Sequence, residues 1–172
     1  RPSSMNYFPD KQRIAFNQII GANYNNLYEQ AFAEIQERAI ANVDSVNSAF
    51  NSAPPLATPF PASSLSQQLK TVARLISVRE QLQMKRQIFF VATGGFDSHD
   101  DQIQNQPGLL SNVSESINAF YNATIELGIS SEVTTFTQSD FGRTLTSNGD
   151  GTDHGWGGVQ MIVGDSVLGR NI

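Results

Sequence analysis

The chain contains no cysteine and only two histidines among its 172 residues. Without thiols it has no disulfide, no Cys-ligated zinc, no iron–sulfur cluster and no thiol nucleophile, so any metal site falls to imidazole and carboxylate. Charged residues are scarce at 16%, the net charge is −5, and no run of Lys or Arg occurs. A nucleic acid or an anionic membrane therefore meets no basic surface to bind. No segment approaches the roughly 20 apolar residues that span a bilayer. What is present is 39% hydrophobic residues set among Asn, Gln, Ser and Thr, the composition of an ordinary globular protein.

A chain of this length buries about 70% of the surface it exposes when unfolded, enough for one domain with a real core. Its start, Arg1-Pro2-Ser3-Ser4, is neither an initiator Met nor a signal peptide. Its end, Asp165 to Ile172, stops just after an apolar run and a glycine turn. Both features predict a piece of a longer protein, cut at each end. The reading along the chain is a helical segment with a proline-rich connector over 1–62, then a βαβ-containing part over 63–172, within a single domain.

From Asp10 to Phe50 apolar residues recur at three- and four-residue steps, which is helix periodicity, with Gly21-Ala22-Asn23 as a candidate break. Pro54, Pro55, Pro59 and Pro61 forbid regular structure in the stretch after it. A further helix is expected from Ser64 or Ser66 to Met84. Ile88-Phe89-Phe90-Val91-Ala92 is a short unbroken apolar run, as in a strand buried on both faces of a parallel sheet. Pro107 is expected to open a helix that Gly128 closes. A second strand follows over Ser131–Thr137, parallel to the first, and a third over Val159–Val163, returning antiparallel.

In open α/β sheets ligands bind beyond the carboxyl ends of the strands. After the first expected strand, Asp97 and His99 stand two apart in an extended loop and point the same way. After the second, Asp140 and Arg143 lie beyond the same sheet end, and parallel strands would bring Asp140 to Asp97. His154 precedes the third strand in Gly151-Thr152-Asp153-His154-Gly155-Trp156-Gly157. Imidazole and carboxylate together suit a divalent metal that activates water or polarises an ester oxygen; zinc, manganese and iron fit, and calcium is a further candidate. Arg143 can hold a tetrahedral anion through its planar fork.

Each residue has a plainer role available. Asp97 and Asp140 can cap turns or helices, the histidines can be solvated loop residues, and Arg143 can pair with Asp140 or Asp153. Trp156 reads as core packing. Asp150 and Asp153 among glycines lack the ligand alternation and distant Glu of a calcium loop.

Three motifs, Phe89-Phe90-Val91-Ala92-Thr93-Gly94-Gly95-Phe96-Asp97-Ser98-His99, Thr134-Thr135-Phe136-Thr137-Gln138-Ser139-Asp140-Phe141-Gly142-Arg143-Thr144 and Gly151 to Gly157, closely resemble a bacterial family catalogued as domain of unknown function 1501. The resemblance covers at least Ser64 to the C-terminus. The family is grouped with the alkaline phosphatase and sulfatase superfamily, which cleaves phosphate or sulfate esters with two metal ions and a Ser, Thr or formylglycine nucleophile. The resemblance implies a fragment of a three-layer α/β sandwich with a mostly parallel sheet and flanking helices. It implies metal ligands at Asp97, His99, Asp140 and His154, a small anionic ester as substrate, and a periplasmic or secreted location. The superfamily's nucleophile and first metal-binding Asp have no match between Arg1 and Met84, and Phe141 stands where superfamily enzymes often carry a histidine.

Overall fold

A computed structural model of the chain describes residues 9–169. Arg1 to Phe8 and Arg170 to Ile172, on which part of the truncation reading rests, lie outside the described residues. Four helices account for most of the regular structure: α1 (Asp10–Ile20), α2 (Leu27–Ser52), α3 (Ser64–Ser77) and α4 (Gln102–Glu126). Among the described residues no helix is long and apolar enough to cross a membrane. The chain divides into two compact units, one of residues 1–53 with 78–85 and the other of 54–77 with 86–172.

In the first unit, α1 and α2 form a helical pair. The expected break is present, and Asn26 starts α2 by accepting hydrogen bonds from the Tyr28 and Glu29 backbone N–H groups at 2.9 and 3.4 Å. Ile20, Ala33 and Ala49 are buried. Ile14, Phe32, Ile35 and Val43 remain exposed along the same two helices.

The core of the second unit lies between α3 and α4. Leu65, Leu69, Val72, Ala73 and Ile76 make one stripe of α3, and Val113, Phe120, Ala123 and Ile129 meet it. Ser63 caps α3, its hydroxyl accepting from Ser66 N–H at 3.2 Å. The helix ends at Ser77, seven residues short of the expected Met84. α4 ends in a Schellman motif: Gly128 has φ +69°, its N–H bonds Ile125 C=O, and Ile129 N–H bonds Thr124 C=O, both at 2.9 Å. At the other end, α4 begins at Gln102, so Pro107 sits inside the helix and does not open it. The donor it removes is the one for the Ile103 carbonyl, and Ile103 is exposed to water.

Among the described residues the expected parallel sheet is absent. The strands are β1 (Thr135–Phe136), β2 (Gly142–Ser147), β3 (Thr152–Gly155) and β4 (Ile162–Val163), arranged as two antiparallel pairs, β1 with β4 and β2 with β3. The three-layer sandwich with a mostly parallel sheet is therefore overturned, and with it the βαβ unit. The physical reason lies in the apolar run 88–92. Val91 is partly buried on the α3–α4 core, whereas Ile88 and Phe90 are 99% and 90% exposed and Phe89 is exposed as well, so the run lacks the two buried faces of a sandwich strand. In place of a strand neighbour it has Gln68 of α3, whose amide accepts from Ala92 N–H at 3.2 Å and donates to Ala92 C=O at 2.9 Å. The antiparallel return of the third expected strand is present as the two-residue pairing of β4 with β1.

The proline-rich connector, which cannot supply a backbone ladder, is fastened by Glu126 at the end of α4. Its carboxylate accepts from Ala57 N–H at 2.7 Å and from Thr58 N–H at 2.8 Å. These bonds hold its pKa below the ordinary carboxylate value, the Thr58 hydroxyl contributing most.

Phe120 is 4% exposed at the centre of the α3–α4 core. Phe120→Ala removes a buried ring that cannot be refilled, and a loss of about 3–5 kcal/mol is expected. Urea unfolding followed by helical circular dichroism measures it, and a loss under 1 kcal/mol would show that the helices do not depend on this contact.

Candidate metal centre

Asp97 and His99 lie on the segment between the 88–92 run and α4, while His154 lies on β3. The turn joining β2 to β3 brings them together. Asn148 N–H bonds Gly151 C=O at 3.1 Å, and Asn148 Oδ1 accepts from Gly151 N–H at 3.0 Å. Arg143 then faces His154 across the hairpin.

Four polar contacts bolt the 96–102 segment to this hairpin. Arg143 donates from one terminal nitrogen to Phe96 C=O and from the other to Thr152 C=O, both at 2.6 Å. Asn148 Nδ2 donates to His99 C=O at 3.1 Å. Gln102 N–H, a first-turn donor of α4 with no intrahelical partner, bonds Asp150 C=O at 3.1 Å. The Thr152 hydroxyl donates to Gln102 Oε1 at 2.8 Å.

The result is a cluster in which one ligand atom from each of Asp97, His99 and His154 lies within 4.8 Å of the others. Asp97 Oδ1 is 2.8 Å from His154 Nε2 and 3.3 Å from His99 Nε2. The His154 ring stacks on Phe141 at 4.1 Å between centroids and on His99 at 5.1 Å. The Arg143 guanidinium lies 5.0 Å from the centre of the Phe141 ring. The three ligand side chains are about half exposed, at 47–62%, while Arg143 is 17% exposed.

Charge follows this geometry. The hydrogen bond from His154 holds the Asp97 carboxyl below its ordinary value of 3.8, with His99 and Arg143 adding to the effect. Asp153 is lowered likewise, first by its bond to His99 and then by Asn148.

Asp97, His99 and His154 thus converge as the sequence reading expects, by a hairpin and not by parallel strands. Asp140 is exposed in the bend before β2 and does not share the cluster, because no parallel pairing aligns it with Asp97. Arg143 reaches Asp97 at 3.7 Å, but both its terminal nitrogens bond backbone carbonyls. Trp156 is fully exposed, not packed in a core. Sequence reasoning gave no site role to Asp153, Asn148 or Phe141. For the first two a signal exists: Asn148-Gly149-Asp150-Gly151 holds two dipeptides that favour tight hairpins, and a hairpin there places Asn148 and Asp153 beside His154. Phe141 has no such signal.

The model of a family described as "Protein of unknown function (DUF1501)" matches residues 15–169. The chain belongs to this family. The match spans both units and every residue of the cluster. No curated protein and no solved structure matches the chain.

Two expectations follow from the site's construction. A Cβ on Gly151 would lie 2.0 Å from the His99 carbonyl oxygen. Gly151→Ala therefore has to push His99 away from Asp97, at a cost of about 1–3 kcal/mol, with the helices intact. The shift is read by NMR as displaced His99 ring signals at unchanged helical circular dichroism; parental signals would contradict it. The second concerns acid. Because the Asp97 and Asp153 carboxyls titrate below 3.8 when folded, each adds stability that is complete above that value and is lost as pH falls through the lowered native values. Hydrogen-exchange protection of 96–101 and 148–154, corrected for the intrinsic pH dependence of exchange, should fall progressively as pH drops through and below 3.8, and protection unchanged while the helices persist would contradict this.

Proposed function

We propose that Asp97, His99 and His154 hold one divalent metal ion, and that the chain is the metal-holding part of an exported hydrolase of phosphate or sulfate esters. The observation that supports this most directly is the convergence of the chain's only two histidines on one carboxylate oxygen, across more than fifty residues of sequence.

The donor set fits such an ion. Tetrahedral ligands roughly 2.0–2.2 Å from a zinc ion stand about 3.3–3.6 Å apart, close to the 3.3 Å between Asp97 and His99, and with all three ligand atoms within 4.8 Å of one another, modest side-chain shifts would bring them round one ion. Two imidazoles and one carboxylate favour zinc or manganese over calcium, which takes six to eight oxygens. Three protein ligands leave a position for water or substrate, and the ion supplies a polarised ester oxygen or an activated water there. The half-exposed ligands leave the cluster open to a small anionic ester. Phe141 supports the His154 ring, and Arg143 keeps positive charge beside the site while it fastens the loops.

The reaction class rests on the likeness of the three motifs to the alkaline phosphatase and sulfatase superfamily, as does export. The nucleophile is unassigned, so metal content, not turnover, is the deciding measurement. A second reading makes the same loops part of a non-catalytic secreted module that binds one structural ion or a polymer, and a third, a helical interaction protein, draws on the exposed Ile14, Ile35 and Val43. That face names no partner, whereas the cluster names its ligand by its donor atoms.

The chain is equilibrated with zinc, manganese or calcium, and bound metal is measured by atomic emission. One ion per chain is expected, zinc or manganese in preference to calcium. Asp97→Ala and His154→Ala should each abolish binding, and Asp140→Ala should leave it unchanged. Unaltered metal content in both of the first two variants would refute the site.

A further inference from the structure

The two ring nitrogens of His99 meet different carboxylates. Nε2 faces Asp97 Oδ1 within the cluster, and Nδ1 lies 3.1 Å from Asp153 Oδ1 on its other side. Asp153 is in turn held by Asn148 Nδ2 at 3.2 Å, and the same amide group donates to the His99 backbone carbonyl. Asn148 is fixed by its place in the hairpin turn, where its Oδ1 accepts from Gly151 N–H. Turn, amide, carboxylate and ring thus form one continuous bracket around His99.

We propose that Asp153 is the positioning residue of the metal site: its carboxylate accepts the Nδ1–H of His99 and so commits Nε2 to the ion, with Asn148 holding Asp153 in place. This rests on the metal reading of Asp97, His99 and His154. An ionised carboxylate only accepts hydrogen bonds, so Asp153 draws the neutral imidazole's single proton to Nδ1. The Nε2 lone pair then faces the Asp97 oxygen, and two electron pairs that close are reconciled by a cation between them. Asp153 precedes His154 on β3, where successive side chains leave opposite faces. One strand thus delivers a ligand from one residue and the partner of a second ligand from the next.

The test has a readout independent of the metal. Nitrogen-15 NMR of the histidine rings in the metal-free chain near pH 8 should show His99 as the Nδ1–H tautomer. Asp153→Ala should move His99 to a mixture dominated by Nε2–H, and Asp153→Asn, whose amide oxygen still accepts, should largely restore the parental pattern. Zinc affinity should fall about 10–100-fold in Asp153→Ala, at a stoichiometry still of one, and by less in Asp153→Asn and Asn148→Ala. A parental His99 found as Nε2–H, or a tautomer unmoved by Asp153→Ala, overturns the proposal. So does parental zinc affinity in Asp153→Ala when His99→Ala has lost it. Loss of stoichiometry in Asp153→Ala with the tautomer unchanged would make Asp153 a ligand in its own right and also overturns it. Failure of the underlying metal reading is seen separately, as Asp97→Ala and His154→Ala that bind zinc like the parent. Where Asp153→Ala loses its helical circular dichroism, Asn148→Ala decides the question by the same two measurements.

Discussion

Backbone polar groups have to be paired, and in the second unit side chains do much of the pairing that strands would otherwise do. Gln68 bonds both the N–H and the C=O of Ala92, as a neighbouring strand would. Glu126 takes two N–H groups of the proline-rich connector. Arg143 takes the carbonyls of Phe96 and Thr152, and Asn148 that of His99. With only two short antiparallel pairs among the described residues, these contacts carry long-range order from the α3–α4 core out to the cluster.

This arrangement ties the site's precision to electrostatics more than to a rigid sheet. An Arg held by two carbonyls at 2.6 Å makes strong, directional, charge-assisted bonds, and its planar fork defines the spacing between the segments it joins. Lysine, a flexible point charge, could not reproduce both contacts at once. Glycine does the complementary work at Gly151, where the hairpin backbone passes so close to the His99 carbonyl that no side chain fits between them. Attraction at Arg143 and steric permission at Gly151 together fix how far His99 stands from His154.

The parts legible in the sequence are those whose signals are local. Helix periodicity, the break near Gly21 and the stop at Gly128 each depend on residues within one or two turns, and all three are present in the structure. The run 88–92 shows why the sheet was not legible. Five apolar residues read alike whether both faces are buried or one face lies on a core, and only the tertiary partner decides. The convergence of Asp97, His99 and His154 was readable because both histidines stand in Asp- and Gly-rich loops of the sequence. Asp140 was placed by a parallel alignment that does not exist, so its position failed with the sheet. Asp153 was missed because its role depends on the hairpin register of Arg143 with His154.

The same register bears on how the cluster holds its shape. Asp97 Oδ1 is hydrogen-bonded to His154 Nε2 at 2.8 Å and faces His99 Nε2 at 3.3 Å, so on the proposed metal reading the His154 proton and an ion would compete for the same atoms. A site held only by those bonds would lose its geometry at each exchange. Here the outer contacts differ from the inner ones: Asp153 holds the far side of His99, Phe141 the face of His154, and Arg143 the segment that carries Asp97. None of the three contacts uses Asp97 Oδ1 or the Nε2 atom of either histidine. On the proposed metal reading, these side chains would trade a proton for a metal while their backbone and ring orientations stay where the hairpin puts them, which is the preorganisation such a site would need.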